Sequence, residues 1–203
     1  MTAPEATAPD GAIAILAGGG SQRMGRDKAL LEIDGQTLLH RTAALALGTG
    51  LPVLVVGRAV PPGWALPQVT FIPDEKPGQG PLGGLVAALA RAAPVFALAC
   101  DMPLLEARTL AWLTAEVRGL RTADALGAGL AVRHAGGLEP LFACYAEACL
   151  PIARAHLAAG RRAMHALIEE AAFTVRAAPA WLVPMLANVN RPEEWTAIAG
   201  AGL

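Results

Sequence analysis

Short, unbroken apolar runs alternate along this chain with longer segments in which apolar residues recur every three or four positions. A short apolar run bounded by glycine, proline or polar residues is typical of a strand buried on both faces of a sheet. The longer spacing is typical of a helix with one buried face. The predicted strands are residues 12–17, 53–56, 69–72, 95–100, 126–132, 141–145 and 173–176.

Helical spacing predicts helices between these strands. The first is capped by Thr37 and stopped by Gly48, and the last begins within 188–195, with Asn190 and Pro192 at its start. The other predicted helices are residues 82–92, 104–117, 151–157 and 161–170. This alternation predicts an α/β fold, a single three-layer Rossmann-like domain with a mainly parallel central sheet. We expect it to occupy residues 11–203, after a disordered tail at residues 1–10.

The composition indicates a packed globule and argues against several partners. Of the 203 residues, 54% are hydrophobic and 16% charged, and the formal net charge is -1. A nearly neutral chain has no electrostatic footprint for nucleic acid or for an anionic membrane. The longest uncharged apolar stretch, residues 42–57, is interrupted by Gly48, Gly50 and Pro52 and is too short to span a bilayer. Because the first ten residues do not resemble a signal peptide, we expect a cytoplasmic protein.

Chemistry concentrates first in a segment directly after the first predicted strand. It reads Leu16-Ala-Gly-Gly-Gly-Ser-Gln-Arg-Met-Gly-Arg-Asp-Lys28, and we call it the glycine loop. Glycines let backbone N–H groups approach a phosphate, and Arg23 and Lys28 add charges suited to phosphate oxygens. The loop is neither a P-loop, since Arg26 and Asp27 stand where Lys and Ser or Thr are required, nor a Rossmann G-x-G-x-x-G. The alternative interpretation is an exposed turn with ordinary surface charges.

Two aspartates follow other predicted strands. Asp101 comes directly after the strand at residues 95–100, where a carboxylate could bind Mg²⁺ together with substrate phosphates or could instead cap the next helix. Asp74 follows the strand at residues 69–72 and could contact a nucleotide or merely bond its own backbone in a turn. Because ligands of such folds bind at the carboxyl ends of strands, we expect both aspartates near the glycine loop.

Five segments, in order, resemble those of the molybdenum cofactor guanylyltransferases, within the wider nucleotidyltransferase family. They are the glycine loop, Asp74 with Gly80-Pro-Leu-Gly-Gly84, Cys100-Asp-Met-Pro103, Glu139-Pro-Leu-Phe142, and Asn188-Val-Asn-Arg-Pro-Glu-Glu194. The resemblance covers residues 12–195. It implies nucleotide or metal contacts at Leu16, Ala17, Gly18, Gly19, Lys28, Gly57, Asp74, Asp101, Asn188 and Asn190, with Mg²⁺ on Asp101 and catalytic roles for Arg23, Lys28 and Asp101.

Two of these positions have particular interpretations. Gly57 stands where the family often has an asparagine, so only its backbone could contact the nucleotide. Asn190 could cap the last helix or, like Asn188, face the metal or the acceptor.

The resemblance also implies the reaction. GMP is expected to pass from GTP to the molybdenum-molybdopterin cofactor, which gives molybdopterin guanine dinucleotide and pyrophosphate. Further partners would be other cofactor-biosynthesis proteins or acceptor proteins. Gly19 and the segment 80–84 resemble the guanylyl rather than the cytidylyl enzymes. A CTP-dependent molybdopterin cytidylyltransferase, a sugar-phosphate nucleotidyltransferase and a non-enzymatic nucleotide-binding module remain as alternatives.

Overall fold

A computed structural model of the chain describes residues 11–18, 27–33, 35–73 and 78–189. The strands in these ranges are β1 Ala12–Leu16, β2 Glu32–Ile33, β3 Gln36–Thr37, β4 Val53–Val56, β5 Val69–Ile72, β6 Val95–Leu98, β7 Gly129–His134, β8 Gly137–Tyr145 and β9 Phe173–Ala177. The helices are α1 Leu38–Leu47, α2 Gly80–Leu89, α3 Ala107–Thr122, α4 Cys149–Ala158 and α5 Met164–Glu170, with short 3-10 helices at Lys28–Leu30 and Val183–Leu186. The predicted tail and the predicted last helix lie outside the described residues.

Seven strands form one sheet in the order β5-β4-β1-β6-β8-β7-β9, and β2 pairs with β3 in a small hairpin. Strand β1 is parallel to both β4 and β6, whereas β8 is antiparallel to β6 and to β7. Strand β9 is again parallel to β7. Because β8 is the strand that runs against the others in this sheet, the prediction of a mainly parallel sheet is confirmed.

Helices cover both faces of the sheet, and this gives the predicted three layers. Alternate residues of β1 face opposite sides: Ile13 and Ile15 pack in the core under α1 and α3, and Ala14 and Leu16 in the core under α2, α4 and α5. All of them are buried, which explains why β1 reads as an unbroken apolar run. Each fully buried leucine or isoleucine of these cores contributes about 1.5–3 kcal/mol by its removal from water.

The boundaries of four helices differ from the predicted ones; α4 begins two residues early and α5 three residues late. Helix α2 begins at Gly80, two residues early, because Pro81 supplies a preset helical φ at the first turn, where its missing N–H costs nothing. Helix α3 begins at Ala107 rather than at residue 104, and it continues to Thr122. The predicted cap of α1 is confirmed, since the Thr37 hydroxyl accepts a hydrogen bond from the His40 N–H at 3.2 Å.

Strands β6, β7 and β8 also differ by two or more residues from their predictions; β7 begins three residues late and ends two residues late. Strand β6 ends at Leu98, two residues before the predicted end, although the Ala99 N–H still donates to the Leu141 carbonyl at 3.1 Å. Strand β8 begins at Gly137, four residues early, which carries it past the end of β6 at the edge where the parallel strands terminate. Polar positions such as Glu139 hide this extension from a pattern of apolar residues.

Within the described part of the chain, no helix is long and apolar enough to cross a membrane.

Candidate active site

The site lies at the carboxyl end of β1, between the ends of β4 and β6. Because β1 pairs with both neighbours in parallel, the residues that follow the three strands emerge at one edge of the sheet. Gly18 follows β1, Gly57 follows β4 and Asp101 follows β6. The sheet therefore brings together three of the residues that the sequence analysis singled out.

Gly18 and Gly57 are in direct backbone contact. The Ala17 N–H donates to the Val56 carbonyl at 2.9 Å, so the two chains stay hydrogen-bonded up to the point where they separate. Gly57 has a φ of 92°, and a Cβ built on it would lie 2.4 Å from the Gly18 Cα. A Cβ on Gly18 would lie 2.8 Å from the Gly57 Cα. Neither position has room for a side chain, so Gly57 can offer only its backbone to a ligand.

A cleft with a volume of about 700 Å³ opens beside this contact. Leu16, Gly18 and Gly57 line one end of it, and the glycine-rich first turns of α2 line its wall. Gly84 lets α2 pack closely, since a Cβ there would lie 3.3 Å from a Leu16 methyl carbon. Ligand clefts for small molecules span about 300–1,000 Å³, and this cleft falls within that range.

Lys28, Asp101 and Val189 form the polar centre of the site. The Lys28 ammonium donates to the Val189 carbonyl at 2.9 Å and lies 3.5 Å from Oδ2 of Asp101. The Val189 N–H in turn donates to the Asp101 carbonyl at 2.9 Å. The Lys28 and Asp101 side chains keep 19% and 24% of their exposure, so a ligand can reach both of them. The segment that contains the half-buried Asn188 is thereby joined to the loop that carries Asp101.

Asp101 does not cap the following helix. Helix α3 begins only at Ala107, and its N-cap is Glu106. The alternative interpretation of Asp101 as a helix cap is therefore wrong, and its carboxylate faces Lys28 instead. Burial raises the pKa of the neighbouring Cys100 thiol to about 12, and the negative Asp101 adds to the rise. Cys100 thus stays protonated near neutral pH and is no nucleophile.

An ion pair that the sequence analysis missed connects the glycine loop to the end of β4. Oδ1 of Asp27 accepts a hydrogen bond from the Ala29 N–H at 3.1 Å, and its Oδ2 accepts one from Nη2 of Arg58 at 2.5 Å. The Arg58 side chain is 15% exposed, and its buried Nε and Nη1 have no partner among the described residues. The two residues are 31 positions apart, so no local sequence pattern predicts their ion pair. The only signal in the sequence is a basic residue directly after the glycine that follows β4.

The surroundings of Asp101 fit a divalent cation whose coordination sphere is completed by the substrate. No group of three His, Cys, Asp or Glu side chains within residues 11–18, 27–33, 35–73 and 78–189 could hold a metal by itself. Mg²⁺ commonly takes one or two protein carboxylates and fills its remaining positions with phosphate oxygens and water. A single accessible carboxylate beside a lysine, at the strand ends where ligands of such folds bind, is a donor set of that kind.

Four of the predicted site residues lie outside the described residues: Gly19, Arg23, Asp74 and Asn190. The other predicted residues, Leu16, Ala17, Gly18, Lys28, Gly57, Asp101 and Asn188, all lie at or beside the strand ends described above.

A three-layer α/β domain with a glycine loop after its first strand and an accessible aspartate after the neighbouring strand is the arrangement of a nucleotidyltransferase. The family model for the MobA-like NTP transferase domain matches residues 13–176. The chain belongs to this family.

Curated relatives and solved structures agree with this membership. A protein of Opitutus terrae named probable molybdenum cofactor guanylyltransferase is 40% identical over 190 residues, which cover 89% of this chain and 91% of the relative. A relative of the same name from Deinococcus radiodurans is 37% identical over 198 residues, which cover 93% and 94%.

Among solved structures, molybdopterin-guanine dinucleotide biosynthesis protein A from Archaeoglobus fulgidus superposes with a TM-score of 0.76 at 22% identity, covering 94% of this chain and 97% of that one. A Mycobacterium tuberculosis protein solved in complex with manganese superposes with a TM-score of 0.61 at 17% identity, covering 94% and 98%. Both likenesses bear on the fold.

Proposed function

We propose that the protein transfers GMP from GTP to the molybdenum-molybdopterin cofactor, forming molybdopterin guanine dinucleotide and releasing pyrophosphate. The observation that carries this proposal is the accessible Asp101 carboxylate beside Lys28, at the strand ends of a chain of this family. The names of the relatives support guanine as the base and molybdopterin as the acceptor.

The reaction is an in-line displacement at phosphorus. An oxygen of the acceptor's terminal phosphate forms a bond to the α-phosphorus of GTP, and the bond from that phosphorus to the bridging oxygen of pyrophosphate breaks. The attacking phosphate is already ionised near neutral pH, so no general base is needed. Catalysis then rests on holding the two phosphates in line and on offsetting their charge.

We assign most of this positioning and charge neutralisation to Lys28 and the glycine loop. We propose that the first N–H groups of the loop, from Gly18 to Gly20, cradle the triphosphate. Lys28 supplies a positive charge, and we assign Arg23 the same task. In the free protein Lys28 bonds to the Val189 carbonyl and to Asp101, so it is held at the site before the nucleotide arrives.

We further propose Asp101 as the protein ligand of Mg²⁺. When bound there with the phosphates, the cation supplies Lewis-acid stabilisation of charge at the α-phosphoryl group and orients the two substrates. We propose Asp74, Asn188 and Asn190 as further contacts to nucleotide, metal or acceptor, with Gly19 and Gly57 contributing backbone only. The working unit is the domain at residues 11–203, and we place it in the cytoplasm.

Pyrophosphate release tests the function directly. Purified protein is incubated with Mg²⁺, molybdenum-loaded molybdopterin, and either GTP or CTP. We expect release with GTP that depends on the acceptor and is at least about tenfold faster than with CTP. Release with CTP alone would identify a cytidylyltransferase, and release that requires a sugar phosphate in place of the pterin would identify a sugar-phosphate nucleotidyltransferase.

A further inference from the structure

Glu139 lies at the same edge of the sheet as Asp101, on the strand next to it. Strand β8 runs antiparallel to β6, and the Leu98 and Phe142 positions are paired. The Ala99 N–H donates to the Leu141 carbonyl at 3.1 Å, which continues the pairing by one position. Two residues further back along β8 is Glu139, level with the loop that carries Asp101. Its backbone pairs with Val132 of β7 on the other side.

The Glu139 carboxylate is largely enclosed and held in place. Its side chain keeps 12% of its exposure. Burial raises its pKa, whereas His134, the Leu141 N–H and His165 stabilise the ionised form and the negative Asp101 opposes it. Burying a carboxylate is costly, but here an N–H donor and a histidine stabilise its ionised form. An ionised carboxylate at this place can accept hydrogen bonds from a ligand.

His134 is oriented by its own hydrogen bond. Its Nδ1 accepts from the Gly136 N–H at 3.1 Å, so in the neutral ring the proton is on Nε2. Nε2 lies 3.8 Å from Oε2 of Glu139, which turns this N–H towards the carboxylate. His134 therefore supports Glu139 as an acceptor of hydrogen bonds.

The order of the sheet places Glu139 on the acceptor side of the site. The nucleotide elements, Gly18 and Gly57, follow β1 and β4, on one side of β6. Strand β8 lies on the other side of β6, and Asp101, at the end of β6, stands between the two. In an in-line displacement the attacking oxygen enters opposite the departing pyrophosphate. With the triphosphate on the side of the glycine loop, the acceptor therefore comes from the side of β8.

We propose that Glu139 recognises the pterin of the acceptor by accepting hydrogen bonds from its ring N–H and its exocyclic amino group. This inference rests on the proposed function. The phosphate and the molybdenum-dithiolene part of the acceptor are anionic and repel a carboxylate. The 2-amino-4-oxo-pyrimidine edge is the part that presents two parallel donors, which match the two oxygens of a carboxylate. Enclosure strengthens the pair and makes its loss costly.

The variant Glu139→Gln tests the inference with little change in shape. Glutamine keeps one acceptor oxygen but turns an NH₂ donor towards the donors of the pterin. We expect the KM for molybdopterin to rise about 10- to 100-fold, while the KM for GTP stays within about twofold. The matched control is Glu116→Gln, which removes a carboxylate from an exposed pair with Arg176 and should change neither value.

Equilibrium binding of free pteridines gives a second readout that needs no turnover. Titration with 6-hydroxymethylpterin and with 6-hydroxymethyllumazine, in which oxygen replaces the 2-amino group, is followed by the pteridines' own fluorescence. The wild-type protein should bind the pterin at least about tenfold more tightly, and Glu139→Gln should lose or reverse this preference. A purely structural role of Glu139 would weaken both ligands equally.

Guanine carries the same pair of donors, so the nucleotide is tested as well. GTP and ITP differ by that amino group, and their ratio of kcat/KM should be the same in wild type and Glu139→Gln. A change in this ratio would make Glu139 a guanine contact and overturn the inference, as would an unchanged KM for molybdopterin or a wild-type protein that binds both pteridines equally. A wild-type protein that binds the pterin selectively but releases no pyrophosphate would refute the proposed function alone.

Discussion

The contact between Gly18 and Gly57 yields a quantitative prediction about stability. In Gly57→Ala the new Cβ is placed 2.4 Å from the Gly18 Cα, and backbone lies on both sides of the overlap, so no flexible side chain can yield. The φ of 92° adds a cost of about 1–2 kcal/mol for an L-residue in left-handed backbone. Overpacking of this kind adds about 1–3 kcal/mol. We expect the free energy of unfolding to fall by about 2–5 kcal/mol in total.

Gly50→Ala is the matched control for this prediction. Gly50 has a φ of 76°, but a Cβ there has nothing within 4 Å, so this variant is destabilised by the backbone conformation alone. Urea denaturation of wild type and both variants, followed by circular dichroism, gives the two changes in free energy at equal m-values. Gly57→Ala should cost at least about 1 kcal/mol more than Gly50→Ala. Equal costs would mean that the ends of β1 and β4 separate freely, and the reasoning about this contact would be wrong.

Four further predictions concern the polar groups of the site. Asp101→Ala should lower pyrophosphate release by at least about 100-fold with the thermal transition unchanged, and full activity would place the metal elsewhere. Lys28→Ala should raise the KM for GTP by about tenfold or more, whereas Lys28→Arg should retain part of the affinity; equal effects would exclude a role for the charge. Arg58→Ala should weaken GTP and pyrophosphate binding more than GMP binding in calorimetric titrations, because the guanidinium holds Asp27, at the end of the glycine loop that we propose binds the phosphates; uniform losses would contradict this. Burial raises the pKa of Glu139 in the folded protein, so the free energy of unfolding of wild type relative to Glu139→Gln should fall as pH rises through that pKa. If this difference in free energy does not change between about pH 4 and 8, burial does not destabilise the ionised carboxylate.

The sequence predicts the buried parts of this fold well and the contacts between distant segments poorly. Strands β1, β4 and β6 are apolar and buried on both faces, and such runs have few other structural interpretations. The motif residues Lys28 and Asp101 were correctly expected at one sheet edge, since strand order alone brings them there. No local sequence pattern predicts that the Lys28 ammonium reaches the Val189 carbonyl 161 positions away, because every type of residue carries a main-chain carbonyl. The early start of β8 was missed for a similar reason: Glu139 interrupts the apolar pattern where the strand meets the site.

The two bonds of Val189 have a consequence for how this site tolerates mutation. The N–H that donates to the Asp101 carbonyl and the carbonyl that accepts from Lys28 both belong to the main chain, so any residue other than proline that fits the space could make these bonds. The constraint lies in the path of the backbone, which the buried valine side chain fixes by packing. Substitutions among apolar residues of similar volume should therefore have little effect, whereas an insertion or deletion just before residue 189 would disconnect the last segment from Lys28 and Asp101 at once. The length of the chain between α5 and this point matters more to the site than its composition.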